Sequence, residues 1–342
     1  MRVMAEPDTS PVTLRTMAER LGLHVSTVSR VLHAHPDERG RAASGATVER
    51  IRSLADELGY RPNPHAASLR TRRSNLVGVL VPRLSDIVLA TIYEGIEEAA
   101  GSHGLSTFVT NTRDVPAEQR ARTEMVLGRR VDGLIFGDAY ADARFLDEIA
   151  TRKVPFVLVS RRAGPYPSVT CDDYAGGRLV AEHLLERGHR DVAVIAGEPY
   201  ASTGIDRTAG FVDTFADAGI KIPSERIVQS RFDARGGRGG AEQLLGAGEP
   251  PSAIFVVNDF AAIGAMGALR DHGLRVGADV AVAGFNDTPL AAELPVPLTT
   301  VRSPMHEMGR RGLEMLVRLI QGADVEPERL RPELVVREST TS

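Results

Sequence analysis

Thr27-Val28-Ser29-Arg30-Val31-Leu32 places Val28, Val31 and Leu32 on one face of a helix and leaves two hydroxyls and a guanidinium on the others. Hydroxyls and guanidiniums suit phosphates and base edges. Just upstream, Leu14, Met17, Ala18 and Leu21 recur at helical spacing and Gly22 supplies a turn. Two short helices about a glycine turn predict a helix-turn-helix. The same spacing also describes an ordinary packed amphipathic helix, so the rest of the chain has to decide.

The 342 residues exceed the usual size of one domain, and the composition is that of a globular protein with a sizeable core. No apolar run approaches the roughly 20 residues that cross a bilayer. The segment from Met1 to Pro11 lacks the apolar core of a signal peptide, so a cytoplasmic protein with no membrane partner is expected. Cys171, the sole cysteine, has no partner for an intramolecular disulfide or a CxxC motif and is expected to be a small buried side chain. The net charge of -4 is unevenly spread. Residues 1–73 carry 12 Arg against 8 Asp and Glu, whereas the remainder carries 29 Lys and Arg against 37 acids. A basic head on an acidic body directs polyanions to one end.

Past the head, Arg61-Pro62-Asn63-Pro64 bars a continuous helix and leads into His65-Ala66-Ala67-Ser68-Leu69-Arg70. Apolar strand-like runs then begin at Leu76, Val131, Val154, Val192, Ala253 and Val280. Between them lie helical stretches at Ile92 to Ala100, Gly176 to Arg187, Arg207 to Ala216 and Ala261 to His272. This alternation predicts parallel sheets covered on both faces, with ligands at the carboxyl ends of the strands. Asp191 to Gly197 restarts the scheme begun at Leu76 to Val81, which predicts two similar lobes with a cleft between them. Arg235-Gly236-Gly237-Arg238-Gly239-Gly240 has the look of an RNA-binding repeat. A single copy ahead of the helical Ala241 to Leu245 reads instead as a turn and helix start.

The chain resembles the lactose-repressor (LacI/GalR) family of bacterial transcription regulators over nearly its whole length. In the head the resemblance rests on Val12-Thr13-Leu14, Thr27 to Leu32, Glu57 to Asn63 and Ser68-Leu69-Arg70. In the body it rests on Gly95-Ile96-Glu97, Val131 to Ile135, Glu182 to Leu185, Arg187 to Arg190, Arg207 with Gly210-Phe211, Asn258-Asp259 and Pro297 to Val301. It implies an all-α helix-turn-helix head over residues 12–61, after an arm at 1–11, and a hinge helix at 62–73. An α/β periplasmic-binding-protein-like core of two doubly wound parallel-sheet lobes follows over residues 74–342. The first lobe takes about 74–171 and 302–331, the second about 172–301 and 332–342.

The resemblance further implies a homodimer on near-palindromic operator DNA. The second helix would lie in the major groove with Val25 and Ser26 at its exposed start and Arg30 one turn on. Arg30 is the expected direct reader, since a guanidinium bonds guanine O6 and N7 together. Thr13, Thr27 and Ser29 would cap helices or hold phosphates. In the hinge, Leu69 fits a minor-groove wedge and Ala66 accompanies it in a segment that folds on binding. No leucine heptad follows Leu334-Val335-Val336, so a coiled-coil tetramer is not expected.

Several residues depart from the family pattern. His24 takes a usual serine at the start of the recognition helix, where it caps less well but donates to phosphate. The loop from His33 to Ala43 is long, and Ala67 replaces an arginine. In the effector cleft, whose expected residues are Asp86, Ser160, Arg161, Arg207, Asn258 and Asn286, the usual Asn-Pro-Phe-Phe-like stretch is Asp86-Ile87-Val88-Leu89. The aromatic platform is therefore expected to be missing. Ser160 and Asn286 stand where aspartates are common, while Arg161, Arg162 and Arg207 stay. Loss of acceptors beside retained guanidiniums predicts a positive cleft for a carboxylate- or phosphate-bearing effector. The alternative pairs those arginines with Asp86, Asp172 or Asp259 around an ordinary sugar or nucleoside.

The leading reading is thus a sequence-specific repressor whose cleft binds a sugar or an anionic sugar derivative and changes operator affinity. The competing reading is a small-molecule sensory protein whose head has a non-DNA partner. No GxSxG elbow, P-loop, HExxH or dinucleotide fingerprint is present, so neither an enzyme, a cofactor nor a metal is expected.

Overall fold

The computed structural model describes residues 12–33, 43–60 and 73–341. The expectations for the arm at 1–11, most of the loop between His33 and Ala43, and the hinge with Ala66, Ala67 and Leu69 lie outside the described residues. The chain divides into two compact units, 1–74 and 75–342.

In the first unit, α1 (Leu14–Leu21), α2 (Val25–His33) and α3 (Gly45–Glu57) close around Met17, Ala18, Val28, Val31, Ile51 and Ala55. Thr13 caps α1 by accepting from the Thr16 N–H. Gly22 ends it in the left-handed conformation at φ 65°, and the Leu23 N–H then bonds back to the Ala18 carbonyl. This turn sets the angle at which α2 leaves α1. The Arg50 side chain of α3 donates to the Leu21 carbonyl at 3.3 Å, which satisfies one of the last carbonyls of α1.

The second unit holds two parallel sheets. Its first sheet has the order β11 (Glu328–Leu330), β5 (Ser168–Cys171), β4 (Phe156–Val159), β3 (Gly133–Phe136), β1 (Leu76–Val81), β2 (Ser106–Asn111). Its second runs β7 (Ile227–Gln229), β6 (Val192–Ala196), β8 (Ala253–Val256), β9 (Ala281–Ala283). A short antiparallel pair, β10 (Thr300–Arg302) with β12 (Glu333–Val335), joins the second sheet through a bridge from Thr299 to Ala283. The chain passes between the two lobes at residue 172, at 303–304 and at 331–332.

Three helix pairs cross at reciprocal glycines: α4 (Ile87–Ser102) with α12 (Met305–Ile320), α7 (Asp173–Glu186) with α8 (Ser202–Asp217), and α9 (Ala234–Gly246) with α10 (Asp259–Asp271). A Cβ at Gly95 would lie 2.0 Å from the His306 carbonyl oxygen, and one at Gly177 would lie 2.1 Å from that of Arg207. The partners Gly309, Gly210, Gly237 and Gly264 are as tightly placed against backbone. Only glycine allows backbones this close. The Arg235 to Gly240 repeat is accordingly inside α9, not at a turn before it, because Gly237 and Gly240 let α9 lie directly on α10 and Ile195.

The six strand starts read from apolar runs correspond to β1, β3, β4, β6, β8 and β9. Strands β2, β5 and β7 were not legible. In β2, Ser106 and Asn111 are exposed and the residues between only half-buried, so the edge position removes the apolar run that marks an internal strand. Substituting Gly264→Leu puts side-chain atoms where the Ala234 carbonyl stands. It should lower the stability of the second unit by about 1–3 kcal/mol, seen as a lower urea midpoint at unchanged slope.

Candidate functional site

The described head presents one polar surface around the start of α2. Val28 and Val31 face the core, which turns His24, Val25, Ser26 and Arg30 outward as exposed residues, with Thr27 and Ser29 half-buried beside them. Val25, at 38% exposure, is an apolar side chain left open to solvent at the start of α2. The Ser26 N–H donates to His24 Nδ1 at 3.3 Å, and Ser26 Oγ lies 2.7 Å from the same nitrogen. The imidazole therefore does serve as the cap of α2, which requires Nδ1 to accept. In the neutral ring that places the N–H on Nε2. Thr13 is exposed at the start of α1 with its hydroxyl capping, 2.9 Å from that of Thr16.

In the second unit, a cavity of about 430 Å³ lies between the lobes. Its lining follows the strand ends. Pro82 to Asp86 come after β1, Arg113 and Asp114 after β2, Gly137 after β3, and Ser160 and Arg161 after β4. Glu198 and Tyr200 follow β6, Arg231 to Ala234 follow β7, Asn258 and Phe260 follow β8, and Asn286 follows β9. In parallel sheets the carboxyl ends are where side chains from different loops converge. All six residues expected in the cleft, Asp86, Ser160, Arg161, Arg207, Asn258 and Asn286, line it.

Each is held by a specific local device. Asp86 caps α4, its Oδ1 accepting from the Val88 N–H at 3.0 Å, and burial pushes its carboxyl above the ordinary range. Ser160 leaves β4 at φ 67°. Asn258 caps α10 through Oδ1 on the Ala261 N–H and donates from Nδ2 to the Phe232 carbonyl, both at 2.8 Å. Asn286 sits at φ 112°, its N–H bonded to the Val301 carbonyl, and its side-chain Oδ1 is buried with no hydrogen-bond partner. Asn286 thus offers the cleft an acceptor that no protein donor uses.

The arginines are not free charges. Arg207 donates from Nε to Asp173 Oδ1 and from Nη1 to the Val257 carbonyl, each at 2.7 Å, with its guanidinium 3.7 Å above the Phe285 ring. Arg161 is bidentate to Asp114 at 2.7 and 2.9 Å, and Arg162 is bidentate to Asp206. Asp86, Asp172 and Asp259 are not their partners. Five arginines and four carboxylates line the cavity, and Asp173 behind Arg207 completes the balance. The expected positive cleft is thus corrected to a nearly neutral one, because α7 and the loop after β2 supply carboxylates that lie far from the arginines in sequence.

The wall after β1 carries Val88 and Leu89 and no aromatic ring, but the cleft has an aromatic surface elsewhere. It comes from the second lobe, where Tyr200, Phe232 and Phe260 line the cleft. Phe232 rests on a shelf made by Gly197, where a Cβ would lie 2.3 Å from the ring, and its carbonyl is pinned by Asn258. The sequence signal was a phenylalanine one strand-end after Gly197, legible only once the two strands were known to be neighbours.

Residues 13–63 match the profile described as bacterial regulatory proteins, lacI family, and residues 181–340 match a periplasmic binding protein-like domain. The transcriptional regulator DegA of Bacillus subtilis is 32% identical over 96% of this chain and 98% of its own length. The transcriptional repressor PurR of Photobacterium profundum is 29% identical over 96% and 98%. Among solved structures, the Lac repressor dimer bound to operator and the anti-inducer ONPF superposes with a TM-score of 0.87 at 30% identity, covering 97% of this chain and 100% of that one. The transcriptional regulator CelR in complex with cellobiose gives 0.73 at 29% identity over 96% and 99%.

Arg207→Ala leaves Asp173 buried without its partner and should destabilise the second unit by about 3–5 kcal/mol in chemical denaturation. Arg207→Lys should recover little, since an ammonium cannot serve Asp173 and the Val257 carbonyl together while lying flat on Phe285.

Proposed function

Since the chain belongs to the lacI family of bacterial regulatory proteins, we propose that it is a cytoplasmic repressor that reads a near-palindromic operator as a homodimer and changes its grip when the cleft takes up a small molecule. It is a DNA-binding transcription regulator and not an enzyme. The observation that carries the reading is the exposed start of α2, where Val25, Ser26 and Arg30 project together from a helix whose opposite face is core. Arg30 is assigned the base-edge contact. His24, Thr13, Thr27 and Ser29 are assigned phosphate and positioning contacts, which fix register without reading sequence. Ala66 and Leu69 are assigned to the hinge that completes the interface. A Lac repressor dimer bound to operator among the solved relatives supports both the partner and the dimeric state.

For the effector, the near-neutral lining favours an uncharged, hydroxyl-bearing molecule over an anion. Asp86, Glu198 and the orphan Oδ1 of Asn286 accept hydrogen bonds, Arg207 donates, and Phe232 and Tyr200 offer faces to C–H groups. The cellobiose complex of CelR belongs to the same chemical class.

Selection on random and genomic duplexes at fixed salt should enrich a two-fold symmetric motif with wild-type protein. Arg30→Ala should weaken that binding by about 1–3 kcal/mol and relax one base position in each half-site. Enrichment of no motif by wild type would sink the reading in favour of a sensory protein. Calorimetric titration with neutral sugars and their phosphorylated or acidic forms should give heat with the neutral set; binding confined to the anions would overturn the effector class.

A further inference from the structure

Two groups of residues at the edge of the cleft, of which only Tyr200 lines it, stitch its lobes together on one flank. From the first lobe, the Ala141 N–H donates to the Tyr200 carbonyl at 2.9 Å, and the Tyr140 ring stacks on that of Tyr200 at 4.7 Å and 27°. Some twenty residues on, the Arg162 N–H donates to Ser202 Oγ at 2.9 Å, and its guanidinium grips Asp206 at 2.6 and 2.9 Å. These two contacts are continuous with the cleft wall. The Tyr140 hydroxyl donates to the Asp114 carbonyl at 2.6 Å, Asp114 holds Arg161 through both oxygens, and Arg161 in turn lies 5.7 Å over the Tyr200 ring. Burial, aided by Asp114, pushes the Tyr140 phenol up to about 12, so it remains a neutral donor.

The opposite flank is unlike this one. Among the described residues no hydrogen bond joins the Pro82 to Asp86 loop to the Arg231 to Ala234 loop, although both line the cavity, and Arg83 acts on Asp233 only through its charge at longer range. A cleft hydrogen-bonded on one side and held only by longer-range charge on the other opens more readily at the second.

We propose that Tyr140 and Asp206 are positioning residues of the cleft, which bind the lobes along a seam, hold Tyr200 and Arg161 in place, and leave the Arg83 to Asp233 flank as the route of entry. The consequence for regulation rests on the cleft being the effector site; the seam itself does not. An aromatic stack and an exposed ion pair are each modest contributions. Both must form together for either to order the lobes. The seam is therefore a cooperative contact that opens as a unit, at low cost.

Two backbone amides report on it, because Ala141 and Arg162 sit in the first lobe while their acceptors belong to the second. Hydrogen exchange resolved to single amides is measured on the full chain, with neither DNA nor ligand present, for wild type, Asp206→Ala and Tyr140→Ala. Both amides should be protected in wild type. Asp206→Ala should speed exchange at Ala141, and Tyr140→Ala at Arg162, each on the order of tenfold, with no change at the β6 amide of Val194. Tyr140→Phe, which keeps the ring and loses the hydroxyl, should keep most of the protection at Arg162. Exchange at unprotected rates in wild type would overturn the proposal, since the lobes would then rest apart. Faster exchange only at the substituted end would overturn it as well, since two independent contacts are not a seam. A coupled, protected seam in a protein that answers no ligand would leave the seam standing and fault the effector reading instead.

Discussion

The buried ion pair between Arg207 and Asp173 is the contact on which the second unit turns. Arg207 comes from α8 and Asp173 from the first turn of α7, immediately after the chain has crossed from one lobe to the other at residue 172. The same guanidinium reaches the carbonyl at the end of β8 and lies on a phenylalanine at the end of β9. One side chain thus fixes a crossover, a helix pair and two strand ends against each other. Removing two charges from water costs several kcal/mol, and only the full set of donors and acceptors returns that cost. Burial is strong enough to push the Asp173 carboxyl up to about 6 against the pull of its partner. The cleft is shaped around this group, so its floor cannot be rearranged without disturbing the lobe that carries it.

The reciprocal glycines do for the helices what Arg207 does for the strand ends. By letting backbones touch at three crossings they hold α4 on α12, α7 on α8 and α9 on α10 at fixed distances, and each pair lies over a sheet whose loops build the cleft. Charge is arranged on a larger scale. The acidic residues that neutralise the arginines of the cleft belong to the acidic body, while the basic excess lies in residues 1–73. A polyanion is thereby directed to the head and away from the body.

Much of this was legible in the sequence, for identifiable reasons. Apolar runs marked the internal strands because both faces of those strands are covered, and of the six cleft residues all but Arg207, which lies inside α8, stood just past a strand end. The edge strand β2 was not marked, since none of its residues is fully buried on either face. The glycine repeat in α9 was misplaced because glycine reads locally as a turn, and its reason lies in a helix some twenty-five residues away. The sign of the cleft was also misjudged. Asp114 is 47 residues from Arg161 and Asp173 is 34 from Arg207, separations across which composition says nothing about pairing. Phe232 likewise became an aromatic wall only through the pairing of β6 with β7.

Head and cleft are proposed as two sites of one switch. Its most direct test is the affinity of the full protein for its selected duplex, measured by fluorescence anisotropy at fixed salt with and without a saturating cleft ligand. Coupling of about 1–3 kcal/mol predicts a change of roughly 5- to 150-fold in Kd, matched by an equal change in ligand affinity when DNA is bound. A duplex affinity that stays the same at saturation, in a protein that binds both, would contradict it.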